Sequence, residues 1–231
     1  MMGWLGWQEV KAQGADWLPI KYVRVEGAFQ YIAKDEIKQI LRKQVSAGLY
    51  NANVQKISES VQRLPWVSDV TVKRVWPDSI DIKIKEQRAI VRWKDNGLIN
   101  GEGEVFSPAN IQEFSHLPIL AGPTGNEKVL LNVMIGLIID LDEKNLQLSE
   151  FRVSDRRAWY IKCQNEMELI LGRNKPLIKF QRFLKTLSVL GEQQIAKVAV
   201  VDLRYPNGFA LKWKQGAEEI DWKEIAEMRK I

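Results

Sequence analysis

Polar and apolar positions set out two successive blocks. Residues 21–26 alternate, with Tyr22 set apart from Val23 and Val25, and end at Gly27. That spacing predicts a strand. Ile37, Ile40, Leu41 and Val45 then recur at helical spacing behind Asp35 and Glu36, whose carboxylates suit the positive end of a helix dipole; Gly48 follows as a stop. A second helix starts near Asn51 or Asn53, either of which can cap it, with a stripe of Val54, Ile57, Val61 and Leu64 ending before Pro65. Residues 67–75 and 79–86 alternate as two strands. Ile80, Ile82 and Ile84 share one face, and Trp76-Pro77-Asp78-Ser79 makes the turn. The predicted order is β-α-α-β-β.

A second pattern begins at Ala89. Residues 89–93 read as a strand, and Leu98–Asn100 with Val105–Phe106 flank a turn at Gly101-Glu102-Gly103. This G-x-G has no helix after it and no third glycine, so it reads as a hairpin turn and not as a dinucleotide loop. Residues 117–123 read as an extended edge segment, with His116 in a loop before it. Residues 126–141 predict a helix that buries Val129, Leu130, Val133, Met134, Leu137 and Ile138. Strands follow at 146–154, 158–163 and 167–171, with Cys163 inward beside Ile161. Pro176 opens another helix, where proline is tolerated in the first turn. Its expected core stripe is Leu177, Phe180, Leu184 and Leu187, widened by Ile178 and Phe183. Residues 197–204 and 209–213 form a closing hairpin through Tyr205-Pro206-Asn207-Gly208, since Asn-Gly tolerates positive φ. Asp202 and Arg204, two apart, share one side of the strand.

Composition narrows the chemistry. The chain has 231 residues, 1 His and 1 Cys, too few for a structural zinc site or an internal disulfide. Sequences for a Walker loop, H-E-x-x-H or G-x-S-x-G are absent, so no enzyme class and no cofactor is indicated. Asp140, Asp142 and Glu143 cluster at a helix end, without EF-hand spacing, and read as a solvated terminus. The net charge of +5 is uneven: residues 18–88 carry 13 Lys+Arg against 8 Asp+Glu. This excess is modest and interleaved with acids, so nucleic acid is not an expected partner. Three of the 9 Trp, Trp4, Trp7 and Trp17, fall in the first 17 residues. The opening apolar run is far short of the ~20 residues that cross a membrane. It reads either as a leader without structural role or as the outer end of a membrane anchor, with Trp4 and Trp7 at the lipid–water interface.

Leu64-Pro65-Trp66 together with Arg74-Val75-Trp76-Pro77-Asp78 resembles the POTRA domain of the FtsQ/DivIB cell-division family. Leu171-Gly172-Arg173 and the run from Val201 through Tyr205 and Gly208 to Trp213 resemble that family's C-terminal β domain. The expected organisation is a juxtamembrane segment at 1–17, a POTRA domain at 18–88, a β domain at 89–215 and a tail at 216–231. The fold class is α+β, with the POTRA unit followed by a mixed sheet with flanking helices. The resemblance implies a divisome scaffold and no enzyme. It implies a single-pass inner-membrane anchor, truncated or absent here, with the bulk of the chain in the periplasm at the septum. It implies FtsB and FtsL as partners, with other division proteins meeting the POTRA domain. It further implies that an FtsB strand adds to the last strand at Tyr205, Asn207, Phe209 and Trp213, supported by Arg204, Phe180 and Phe183. Asn207 stands where the best-known members carry Ser, and Pro206 is a further departure from the family turn. A Trp-rich periplasmic glycan-binding module is the alternative. Trp66 and Trp76 are expected to pack core and turn.

Overall fold

The structure is a computed structural model that describes residues 20–44, 52–94, 96–190, 192–206 and 208–217. Trp4, Trp7, Trp17, Val45, Gly48, Asn51, Asn207 and the end of the tail lie outside these residues. Contacts divide the chain into two compact units. The first runs to Arg88 and adds Phe106–Pro108; the second holds Ala89–Val105 and the residues from Ala109 onward.

The first unit follows the predicted order: β1 (Tyr22–Glu26), α1 (Lys34–Gln44), α2 (Val54–Gln62), β2 (Val67–Val75) and β3 (Ser79–Glu86). Its sheet runs β1-β3-β2, with β1 parallel and β2 antiparallel to β3. The alternation of Ile80, Ile82 and Ile84 buries all three, and Ile57 and Val61 of α2 are buried with them. Asn53 caps α2 by accepting the Lys56 N–H at 3.0 Å. The helix ends at Gln62, short of the predicted Leu64, because Pro65 pushes Leu64 out of helical geometry. The chain turns instead on a Leu64 N–H to Val61 O bond of 3.0 Å. The Glu86 carboxylate accepts the N–H groups of Gln30, Tyr31 and Ile32 at 2.8–3.0 Å, fixing the approach to α1. Tyr31 stacks on Trp66 with centroids 4.1 Å apart. Trp66 is core, as expected. Trp76 is not packed away: it is 61% exposed at the β2–β3 turn.

From Ala89 onward the chain carries β4 (Ala89–Trp93), β5 (Gly97–Asn100), β6 (Val105–Phe106), a 3-10 turn (Ile111–Phe114), β7 (Ile119–Ala121), α3 (Glu127–Asp142), β8 (Leu148–Val153), β9 (Trp159–Cys163), β10 (Glu168–Gly172), α4 (Pro176–Leu190), α5 (Glu192–Ile195), β11 (Val198–Asp202) and β12 (Ala210–Trp213). The sheet order is β12-β11-β10-β9-β8-β7-β4-β5-β6. It is mixed, with parallel pairs where α3 and α4 cross between strands. The G-x-G segment is a hairpin turn. Buried Asn100 holds it by accepting the Glu102 and Glu104 N–H groups at 3.0 and 2.9 Å.

Three expectations fail here. Residues 117–123 are not an edge: β7 lies between β4 and β8, parallel to both, confined to three residues by Pro118 and Pro123. Val129 on α3 is 63% exposed, and Leu131 and Leu141 are buried instead. On α4, Leu177 is 46% and Ile178 63% exposed, while Phe180, Phe183, Leu184 and Leu187 are buried. Both helices are apolar beyond one stripe, so spacing alone does not select the inward face. Cys163 lies inward beside Ile161, as predicted, and burial pushes its thiol up to about 12.

Candidate functional site

β12 is the outermost strand of the large sheet and pairs only with β11; no strand lies beyond it among the described residues. Its register places Ala210 opposite Asp202, Leu211 opposite Val201, Lys212 opposite Val200 and Trp213 opposite Val198. Lys214 donates its backbone N–H to Lys197 O at 2.8 Å. Antiparallel ladders alternate inward and outward backbone groups along a strand. The N–H and C=O groups of Ala210 and Lys212 therefore face β11. Those of Leu211 and Trp213 face out of the sheet, four backbone groups in all that call for partners. The side chains alternate too. Leu211 and Trp213 are half-buried against the core, and Ala210 and Lys212 are exposed.

The connection from β11 into β12 is held from three sides. Asp202 accepts the Arg204 backbone N–H at 3.0 Å, an Asx-type turn that ends the strand. The Arg204 guanidinium grips the same carboxylate, Nε at 2.9 and 3.0 Å and Nη2 at 2.6 Å. This bond holds the Asp202 carboxyl below its usual range and raises the Arg204 guanidinium. Arg204 thus supports the turn, on the side the spacing predicted. Beneath it, Gly172 sits at φ 72, and a Cβ there would stand 3.2 Å from Arg204 Cγ. Glycine alone supplies both the left-handed backbone and the room. From α4, Lys179 Nζ donates to Arg204 O at 3.1 Å and Arg182 Nη1 to Pro206 O at 3.0 Å.

Tyr205 is 54% exposed on this braced turn. Phe209 is half-buried and meets Phe183 edge-on at 5.7 Å. Phe183 and Phe180 are within the core, so they back the site and do not offer surface to a partner. Asn207 lies outside the described residues, as do Trp4 and Trp7. Sequence reading missed Lys179 and Arg182. Their spacing of three places both on one face of α4, but the carbonyls they reach lie 24 or 25 residues away.

The other candidate chemistry disperses. Asp140 accepts a bond from Gln181 Nε2 at 2.5 Å, and Asp142 borders an open recess of about 520 Å³ with Asn145, Leu146, Gln147, Gln164 and Asn165. Neither a nucleophile–base pair nor a cation cage is formed by that lining. No group of three or more His, Cys, Asp or Glu placed to hold a metal occurs among the described residues. No described helix is long and apolar enough to cross a membrane.

Comparison with known proteins converges on one group. Residues 18–87 match the family model of the FtsQ-type POTRA domain. Residues 91–204 match that of the C-terminal region of cell division protein FtsQ/DivIB. The chain is 50% identical to the cell division protein FtsQ of Methylomonas methanica, over 97% of this chain and 90% of the relative. It is 32% identical to FtsQ of Coxiella burnetii over 85% and 81%, and 32% identical to FtsQ of Escherichia coli (strain K12) over 91% and 78%. The second family match ends at Arg204, so Tyr205 and β12 lie just past it.

Proposed function

The chain belongs to the FtsQ/DivIB family of bacterial cell division proteins, and on that premise we propose that it is a non-catalytic divisome scaffold whose β12 edge captures a strand of FtsB from the FtsB–FtsL complex. The carrying observation is the outer side of β12, where no strand pairs among the described residues and Leu211 and Trp213 turn their backbone groups outward. An added strand satisfies those groups, and side-chain contacts at the turn set its register. Tyr205 is the exposed aromatic at the head of this edge, the residue class that concentrates binding energy in interfaces. The brace from Asp202, Arg204, Lys179 and Arg182 fixes the turn before the partner arrives, which lowers the ordering cost of binding. The expected setting is the periplasmic side of the inner membrane at the septum. There the scaffold links early and late division proteins, with further partners on the POTRA unit.

Capture of a purified FtsB–FtsL periplasmic complex tests this reading. Tyr205→Glu places a charge at the contact and abolishes capture while leaving the melting temperature close to wild type. Full capture by Tyr205→Glu moves the site off this edge.

A further inference from the structure

We propose that the β2–β3 hairpin tip is a bilayer contact that seats Trp76 in the headgroup layer of an anionic phospholipid membrane. The inference rests on the inner-membrane setting proposed above. A large aromatic left 61% exposed beside Val75, itself 40% exposed, is an apolar projection that the domain core does not use. Tyr22 lies in the same rung, opposite Ser79, with Val75 on the other side of that serine. The next rung with the same facing is charged: Arg24, Asp81 and Lys73 lie side by side, with Arg24 ion-paired to Asp81 at 3.8 Å. Around the tip Lys21, Arg24 and Lys73 stand against Asp78 and Asp81, while Arg74, opposite Ile80, is turned to Ala52 O instead. An aromatic end followed by a mixed belt with a positive excess, in which Lys73 stands beside the Arg24–Asp81 pair, matches the layering of a bilayer surface, where Trp rings lie at headgroup level and basic side chains reach anionic lipid.

Topology places this tip where the chain enters the domain. Because β1 runs parallel to β3, both strands start at the same end, with Tyr22 opposite Ser79. The Lys21 N–H donates to Asp78 O at 2.9 Å, and Lys21 Nζ lies 3.5 Å from the Asp78 carboxylate. Trp17 precedes Lys21 by four residues, a span of at most about 14 Å. A membrane attachment made through Trp17 therefore holds the tip close to the same surface, whereas Trp4 and Trp7 stand 17 and 14 residues from Lys21 and set a looser limit.

Co-sedimentation of the intact chain with phosphatidylglycerol-containing vesicles, against pure phosphatidylcholine, tests this. Trp76→Ser weakens partitioning about tenfold, the change expected from leaving on the order of 60 Å² of apolar surface in water. Trp76→Tyr, which keeps an interfacial aromatic, retains most of the binding, and all variants melt like wild type. Equal partitioning of Trp76→Ser and wild type overturns the inference. Trp4→Ser with Trp7→Ser reports separately on the N-terminal tether: unchanged partitioning there sinks the tether reading without touching the hairpin. Capture of FtsB–FtsL in the absence of lipid stays intact in Trp76→Ser, so failure here and failure of the scaffold reading are distinct. A Trp76→Ser protein that partitions normally but loses capture assigns the tip to a protein partner and overturns the lipid assignment.

Discussion

The outer strands of the two sheets meet solvent differently. In the small sheet, β1 exposes Arg24 and Glu26, and β2 exposes Asp69, Lys73 and Arg74 along nine residues. Charges spaced this way discourage another strand from pairing, because they must be desolvated or opposed. Arg74 also reaches back to Ala52 O at 2.6 Å and ties its edge to the start of α2. In the large sheet, β12 is four residues long and carries a single charge, Lys212. It is braced from behind, and among the described residues no strand covers its outward backbone groups. Charge guards the first edge despite its length, and the second is short and carries little charge. The same chain thus carries one sheet edge lined with charged side chains and one with a single charge.

The largest expected effect comes from undermining the brace. Phe183→Ala deletes a buried ring beneath Phe209 and lowers unfolding free energy by about 3–5 kcal/mol, measured by denaturant titration. A loss under about 1 kcal/mol would mean that α4 does not support this edge. Next is the backbone itself. Leu211→Pro removes an outward N–H without breaking the ladder to β11, and weakens FtsB–FtsL binding in calorimetry by about 1–3 kcal/mol beyond Leu211→Ala, which controls for the half-buried side chain. Lys73→Ala on the guarded edge leaves that affinity unchanged, and equal losses at the two sites would erase the contrast between them. Trp213→Ala is a less clean probe, because its ring is half-buried against the core and its removal costs stability as well. The smallest effect is electrostatic. Asp202 has a lowered carboxyl pKa, so its ion pair contributes above the ordinary carboxylate value and is lost as pH falls through the depressed one. Asp202→Asn therefore melts slightly below wild type at pH 7, and the gap narrows below about pH 3.9 and closes as pH falls through the depressed value. The pair is surface-exposed and screened, so the difference is small and shrinks with salt.

Local rules carried most of the first unit. Alternation placed Ile80, Ile82 and Ile84 inward, and one side-chain cap, Asn53, started α2. Sequence also placed the closing hairpin and the shared side of Asp202 and Arg204. What escaped was non-local. The three residues of β7 hold too little pattern to reveal parallel neighbours on both sides. Apolar positions around α3 and α4 hid which of Val129, Leu177 and Ile178 would face water. The exposure of Trp76 was likewise invisible, since a tryptophan in a turn motif reads the same whether it packs or projects. The tethers from Lys179 and Arg182 depend on carbonyls brought near only by the β10–α4–β11 crossover.

Residue-resolved amide exchange on β12, with and without the FtsB–FtsL complex, tests strand capture most directly. The Ala210 and Lys212 amides face β11 and are protected in the free protein. Those of Leu211 and Trp213 exchange readily when free and become protected on binding. Binding that leaves Leu211 and Trp213 exchanging at their free rates would contradict strand addition at this edge.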